Sequence, residues 1–478
     1  MASSKNPLYV DIMALHPEVT GSCIFCVVKN SYTREKVKFI VDCGLFQERE
    51  HEKLNTAKLP FSPENIDFAI ITHNHLDHIG RIPYLVKEGF YKPIFTTEQT
   101  KLFLKRAWIN TADILKNNSK ITNITPLYYE EEVRRTMGLV LGCPFNQSIQ
   151  VAENIKVTFL PNGHVAGAAM VLVQISSYYT EDINLLFTGD YSNKNIFFDV
   201  EDIPEEIKNL PITIITESTY GDMKSSDVEE TFSDNIIKAV KEKRNIVIPA
   251  FSFQRTQTLL YILKCLQKSK QISSYFPIYL DGKLSQDYTN IFIKHGEELG
   301  FKKEMLDFIP ENLKYITKET RWNIIHSSTP KIIITSSGMG SYGPAQMHIP
   351  EVLPQENGVI HFTGYMAEGT LGRKLQEAKE DSVVEVCGVI KKKKAKILFS
   401  NEFSSHAKSD EIINLLNQFN SKKLVLINHG ESEIKDSFSK MLEETISSKD
   451  IGILGTDYLF RVGPYGLIKT MSTKFCFQ

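Results

Sequence analysis

No apolar run in this chain approaches the length of a membrane span, and the first residues, Met1-Ala2-Ser3-Ser4-Lys5-Asn6-Pro7, lack the basic-then-apolar order of a signal peptide. Both absences point away from membrane-anchored and secreted classes, so a cytoplasmic protein with no membrane partner is expected. Low-complexity blocks and internal repeats are missing too, which removes linker-like and solenoid architectures. Cysteine is sparse and poorly arranged for cross-linking. The seven thiols (Cys23, Cys26, Cys43, Cys143, Cys265, Cys387, Cys476) are odd in number, and the Cys-x-x-Cys of Cys23 and Cys26 has no second pair to complete a zinc knuckle. They read as reduced core thiols. Charge of one sign is lacking as well: 55 Lys and Arg face 57 Asp and Glu, a net −2. Such a surface gives no global attraction to a polyanion, so a nucleic-acid substrate must be held by a local groove and by metal ions. The one dense positive run, Lys391-Lys392-Lys393-Lys394, reads as a solvated hairpin tip.

What is present is ordinary globular material, 478 residues at 42% hydrophobic and 23% charged, enough for two or three domains. Short β-rich runs at 37–42, 68–72, 156–160, 170–175, 184–188, 212–216, 245–249, 277–281, 331–335, 359–363 and 424–428 alternate with helical patterns at 97–116, 228–243, 254–268, 285–295, 407–419 and 433–446. That alternation is an α/β signature. Polar side chains recur where these strands end: Asp42, His73, Asp190, Glu217 and His429. Loops at strand ends are where α/β folds assemble sites, so these residues are expected to meet on one rim.

The densest chemistry lies in Ile71-Thr72-His73-Asn74-His75-Leu76-Asp77-His78, which spends three of the chain's 12 histidines within six positions. Imidazole and carboxylate are the ligands of zinc and similar divalent ions. His73 and His75, one residue apart in an extended turn, can share one ion. Asp77 and His78 begin a helical stretch over 79–88 and suit a second ion beside the first. Two metals roughly 3.5–4 Å apart can clamp both oxygens of an in-line phosphoryl displacement, so hydrolysis is the expected reaction.

Asp42 in Ile40-Val41-Asp42-Cys43-Gly44, the His73–His78 segment, His164 in Asn162-Gly163-His164-Val165 and Asp190 in Phe187-Thr188-Gly189-Asp190 resemble, in order and context, the motifs of the metallo-β-lactamase fold. Glu217 in Thr216-Glu217-Ser218-Thr219-Tyr220-Gly221, His406 in Ser404-Ser405-His406-Ala407 and His429 in Asn428-His429-Gly430-Glu431 resemble the three extra motifs of its β-CASP subfamily, which contains ribonuclease J and the pre-mRNA 3′-end endonuclease subunit. The resemblance runs over nearly the whole chain. It implies that His73, His75 and His164 bind one metal, that Asp77, His78 and His429 bind the other, and that Asp190 bridges them. The expected cofactors are therefore two Zn2+, with Mn2+ or another divalent ion as the alternative. A metal-bound hydroxide is the implied nucleophile, and Asp42 supports a ligand histidine from outside the metal shell. Glu217 and His406 are implied to form a general-acid pair, a carboxylate favouring the imidazolium. Asp77, Asp190, Glu217 and His406 are thus the expected catalytic residues.

The implied architecture is an αββα sandwich from residues 1–217 and 374–478, interrupted by an α/β β-CASP domain at 218–373, with the site in a cleft that admits a single strand. Within the family a histidine at the position of His429 accompanies RNA-directed members, so single-stranded RNA is the expected substrate, in RNA processing or decay. With no RNA-binding module after the catalytic region, a second copy of the chain or a nuclease complex is the expected partner. Ser336 and Ser337 after the strand at 331–335, and Arg373, are expected to hold phosphates. Three rival readings are a hydrolase of small esters or thioesters, a DNA-directed β-CASP nuclease, and a non-catalytic RNA-binding or nuclease-partner scaffold.

Overall fold

A computed structural model describes residues 8–473 except Pro17, residues 48–50, Asn123, Val228, Tyr365, Ala367 and Lys449; Met1–7 and Cys476 lie outside the described residues. The chain divides into two compact units, Met1–Ser225 with Ser405–Gln478, and Ser226–Ser404. Among the described residues no helix is long and apolar enough to cross a membrane.

The first unit is an αββα sandwich built on an eight-stranded and a seven-stranded sheet. Strand periodicity explains the layering. In Ala169–Ile175 the odd residues Ala169, Val171, Val173 and Ile175 enter the core between the sheets, while Met170 and Leu172 face the outer core. Pro211–Thr216 and Ser421–Ile427 split the same way, with Ile215, Leu424 and Leu426 inward and Ile212, Ile214, Val425 and Ile427 outward. Strands buried on both faces read as continuous apolar runs. Ile183–Phe187 runs antiparallel to Ala169–Ile175 and parallel to Pro211–Thr216, which in turn pairs in parallel with Ser421–Ile427. Helices Ser409–Asn417 and Ser432–Thr445 cover the outer face with Ile412, Leu415, Leu416, Phe438 and Leu442. On the other sheet, helix Glu98–Thr122 packs against Ile94–Thr97 and Val140–Cys143, and Trp108 donates to Ile79 O at 2.9 Å.

Two strands absent from the expected set, Leu8–His16 and Cys23–Asn30, form the middle of the first sheet. The reason Leu8–His16 escapes a simple alternation is Asp11, buried in mid-strand and neutralised by a bidentate Arg461 (2.7 and 2.9 Å) and by Lys29 (2.8 Å). The helix expected over 79–88 is two short ones, Leu76–Ile79 and Ile82–Lys87. Between them Arg81 turns inward, its Nε bonding Gly44 O at 2.8 Å.

The second unit holds a six-stranded all-parallel sheet in the order Leu313–Tyr315, Ile278–Asp281, Lys331–Thr335, Asn245–Pro249, Gly358–Phe362, Lys396–Phe399. Residues 374–404 fall in this unit because Lys396–Phe399 pairs with Gly358–Phe362. The tetralysine run is not a hairpin tip. Val383–Val386 turns into Val389–Lys392 through Cys387 and Gly388, and Lys393 is buried, donating to Leu375 O at 3.2 Å. Lys391, Lys392 and Lys394 pair with Glu351, Asp381 and Glu356.

Candidate metal centre

All the sequence-predicted metal ligands lie in the first unit and follow the carboxyl ends of strands. Phe68–Ile70 leads to His73, Ile155–Pro161 to His164, Ile183–Phe187 to Asp190 and Ser421–Ile427 to His429. The segment carrying Asp77 and His78 is clamped from below by backbone bonds: Ser22 N donates to Asp77 O at 2.9 Å, and Cys43 N to His78 O at 2.7 Å. Gly44 is required here, since a Cβ on it would fall 1.5 Å from Asp77 O.

Two groups of donors result. His73, His75, His164 and Asp190 form one, and Asp77, His78, His429 and Asp190 the other. In the first, His75 Nδ1 stands 3.1 Å from His73 Nε2 and 3.0 Å from His164 Nε2, while both Nε2 atoms lie 3.5 Å from Asp190 Oδ2. In the second, His78 Nε2 lies 3.1 Å from His429 Nε2 and 3.2 Å from Asp190 Oδ1, and Asp77 Oδ2 stands 3.9 and 3.8 Å from the same two nitrogens. One carboxylate therefore turns an oxygen toward each group.

The outer nitrogens fix the tautomers. His164 Nδ1 donates to Ser405 O at 3.0 Å and His78 Nδ1 to Asp42 Oδ2 at 2.8 Å, which leaves each Nε2 as a lone pair facing inward. Thr72 Oγ1 meets His73 Nδ1 at 3.0 Å, and Thr219 Oγ1 meets His429 Nδ1 at 3.1 Å. Lone pairs of several neutral imidazoles crowded to about hydrogen-bond distance, with no proton available between them, suit a cation. Asp190 makes the same case: both its oxygens are buried and neither accepts a hydrogen bond. A buried carboxylate without donors is costly unless a metal or ion pair meets it. The residues present thus fit two divalent ions.

The electrostatics agree. Burial holds His73 and His164 well below the usual imidazole range and brings His75 down to about 4, so these rings are neutral at pH 7. For Asp190, burial works toward protonation, yet His429, His78 and His406 outweigh it and hold the carboxyl well below its usual range. The second group differs: burial opposes charge on His78, but the carboxylates of Asp190 and Asp42 raise it well above 6.5, so an ion bound there must displace the proton on Nε2.

Asp42 sits behind His78 in a left-handed backbone conformation, φ 62°. Its Oδ1 accepts Thr72 N–H at 2.8 Å and its Oδ2 accepts Thr72 Oγ1–H at 2.8 Å. Asp42→Asn keeps the shape and removes the charge behind His78. It is expected to weaken metal affinity 10- to 100-fold, about the effect of losing such a partner, as read by competition with a chelating dye.

Beside the first group lies a third assembly of Asp190, Glu217 and His406. Glu217 Oε2 bonds His406 Nδ1 at 2.7 Å, its Oε1 accepts the Tyr191 amide, and its own N–H donates to Thr188 Oγ1 at 3.2 Å. His406 Nε2 points back toward Asp190 Oδ2 at 3.8 Å. Burial alone would lower His406, but Glu217 and then Asp190 raise it to about 9.

The expected phosphate contacts belong to the second unit. Ser337 exchanges bonds with Tyr342, its N–H donating to the carbonyl at 3.1 Å and its Oγ accepting at 3.2 Å, so this hydroxyl serves its own loop. Ser336 N donates to Asp281 O at 3.3 Å, and Arg373 Nε bonds Glu377 at 2.6 Å along its helix. Sequence reasoning did not single out Thr72, Thr188, Thr219 or Tyr191. Thr72, Thr188 and Thr219 stand inside the recognised motifs and Tyr191 directly follows one, which is the signal that could have found them.

Three family models match the chain: the metallo-β-lactamase superfamily over residues 27–143, the β-CASP domain over 256–375, and a Zn-dependent metallo-hydrolase RNA specificity domain over 391–451. Among curated relatives, Ribonuclease TTHA0252 of Thermus thermophilus is 27% identical over 89% of this chain and 94% of its own length. An RNase J-like protein of Methanocaldococcus jannaschii is 27% identical over 86% and 91%. Transcription termination factor FttA of the same archaeon is 29% identical over 88% of this chain, which covers 66% of that longer protein.

Proposed function

Because this chain belongs to the β-CASP family of the metallo-β-lactamase superfamily and is a metal-dependent hydrolase, we propose that it is a two-zinc ribonuclease cleaving phosphodiester bonds of single-stranded RNA in RNA processing or decay. The observation that carries this reading is Asp190, whose two oxygens face separate donor groups without a hydrogen bond to either. Zinc suits the imidazole-rich donor set, with Mn2+ the alternative, and such ions supply Lewis acidity and lower the pKa of water to near neutrality. His73, His75 and His164 would hold one ion, Asp77, His78 and His429 the other. His406 supplies the proton that the leaving ribose oxygen needs, from an Nε2 directed into the site. Glu217 keeps that ring oriented and charged. RNA as substrate is supported by the RNA specificity model, which spans His406 and His429, and by relatives named as ribonucleases.

Purified zinc-loaded protein should cleave single-stranded RNA and leave DNA of the same sequence and a thioester panel intact. Thioester turnover with uncut RNA would sink the reading. A general acid must be protonated, so the rate falls as pH rises through the His406 pKa, which lies at about 9 before bound dications press it down. Removing the carboxylate charge in Glu217→Gln is expected to move this alkaline limb of the kcat profile to lower pH. An unmoved limb would remove Glu217 from the acid pair.

A further inference from the structure

Outside the paired centre, one more group of ligand-type side chains converges among the described residues. His16, Glu18 and His51 each bring a donor atom within 4.8 Å of the others. His16 ends the strand Leu8–His16, Glu18 stands just beyond it, and His51 precedes the 3-10 turn Glu52–Thr56. Two of the three sit on connecting segments that the sheet brings together, so no sequence spacing announces them.

His16 is 8% exposed, and its Nε2 is buried with no hydrogen-bond partner. A buried imidazole ordinarily has its nitrogens satisfied. Rings hold this one in place instead: Phe46 lies 4.7 Å away, tilted by 33°, and His51 approaches edge-on at 4.9 Å and 84°. The guanidinium of Arg81 stacks over Phe46 at 4.8 Å, which backs the wedge. Burial, with His51 and Arg81 adding to it, brings His16 to about 4, so the ring is neutral and offers a lone pair.

We propose that His16, Glu18 and His51 bind a third divalent cation, zinc or a neighbouring first-row ion, separate from the pair at Asp190. Two imidazoles and a carboxylate form a donor set these ions accept, with water completing the shell. Bonds of about 2.1 Å in a tetrahedron separate ligand atoms by about 3.4 Å. Glu18 and His51 are partly exposed, whereas His16 is buried. Lys435 also attracts Glu18, and Arg81 adds positive charge nearby, so this ion binds more weakly than the pair and leaves first under a chelator. It fastens the segment carrying His51 to the end of the first strand.

The test counts metal and does not depend on the ribonuclease reading. Protein equilibrated with zinc and freed of excess is analysed by plasma mass spectrometry. Wild type is expected to hold one zinc per chain more than His51→Ala and one more than Glu18→Gln, both changes falling on partly exposed side chains. The same loss is expected when either change is placed in an Asp190→Ala background, where the paired centre is already compromised. Equal zinc in wild type and both variants overturns the site, whatever the RNA assay shows. So does a loss of RNA cleavage in His51→Ala with zinc unchanged, which would assign the residue to substrate.

Discussion

Asp190→Ala protein is expected to cleave single-stranded RNA at least about 10³-fold more slowly than wild type, a barrier increase of about 4 kcal/mol, and to lose zinc from the paired centre. The size follows from position. Asp190 Oδ1 lies 3.2 Å from His78 Nε2 and its Oδ2 lies 3.5 Å from both His73 and His164 Nε2, so one substitution strips a ligand from both donor groups. Loss of fold is separable from loss of metal, because the carboxylate makes no hydrogen bond that packing depends on. Stripped Asp190→Ala is nonetheless expected to unfold at a lower temperature than stripped wild type, since it loses the carboxylate that pairs with the charged His78 and His406 rings, and comparing the two without metal isolates that loss. A folded Asp190→Ala protein with wild-type cleavage would refute the assignment.

His406→Ala is expected to cost 10²- to 10⁴-fold in kcat on RNA, the range typical of a positioned general acid, with zinc content unchanged. The unchanged metal is what distinguishes this role from that of a ligand. His406 meets the centre at Asp190 Oδ2, 3.8 Å away, and at the His164 ring, 4.6 Å between centroids, while its Nδ1 is committed to Glu217 at 2.7 Å. Leaving-group chemistry gives a second discriminator. A nitrophenyl phosphodiester expels an anion that needs no proton, so its hydrolysis should fall far less than that of RNA in the same variant. Equal losses on both substrates would mean that His406 positions the centre and does not deliver a proton.

The ligand cluster was legible because its residues are close in sequence and end a strand, so spacing translates directly into convergence. Central strands such as Ala169–Ile175 were legible for a related reason, since burial on both faces leaves an unbroken apolar run. Leu8–His16 was not, because Asp11 interrupts the run and its neutralising partners, Lys29 and Arg461, come from other strands. The hydrogen bonds that fix the imidazoles were hidden for the same cause: Ser405 O reaches His164 and Thr219 reaches His429 from more than 200 positions away. The lysine run misled because charge density suggests solvent, whereas Lys393 is buried on the carbonyls of Leu375 and Ala378.

The central claim is tested most directly by following cleavage of a labelled single-stranded RNA by metal-stripped protein as zinc is restored. The account predicts no cleavage by the stripped protein and recovery only as the paired centre fills, with no recovery in Asp190→Ala. Stripped wild type that cleaves as fast as the reloaded protein would contradict it.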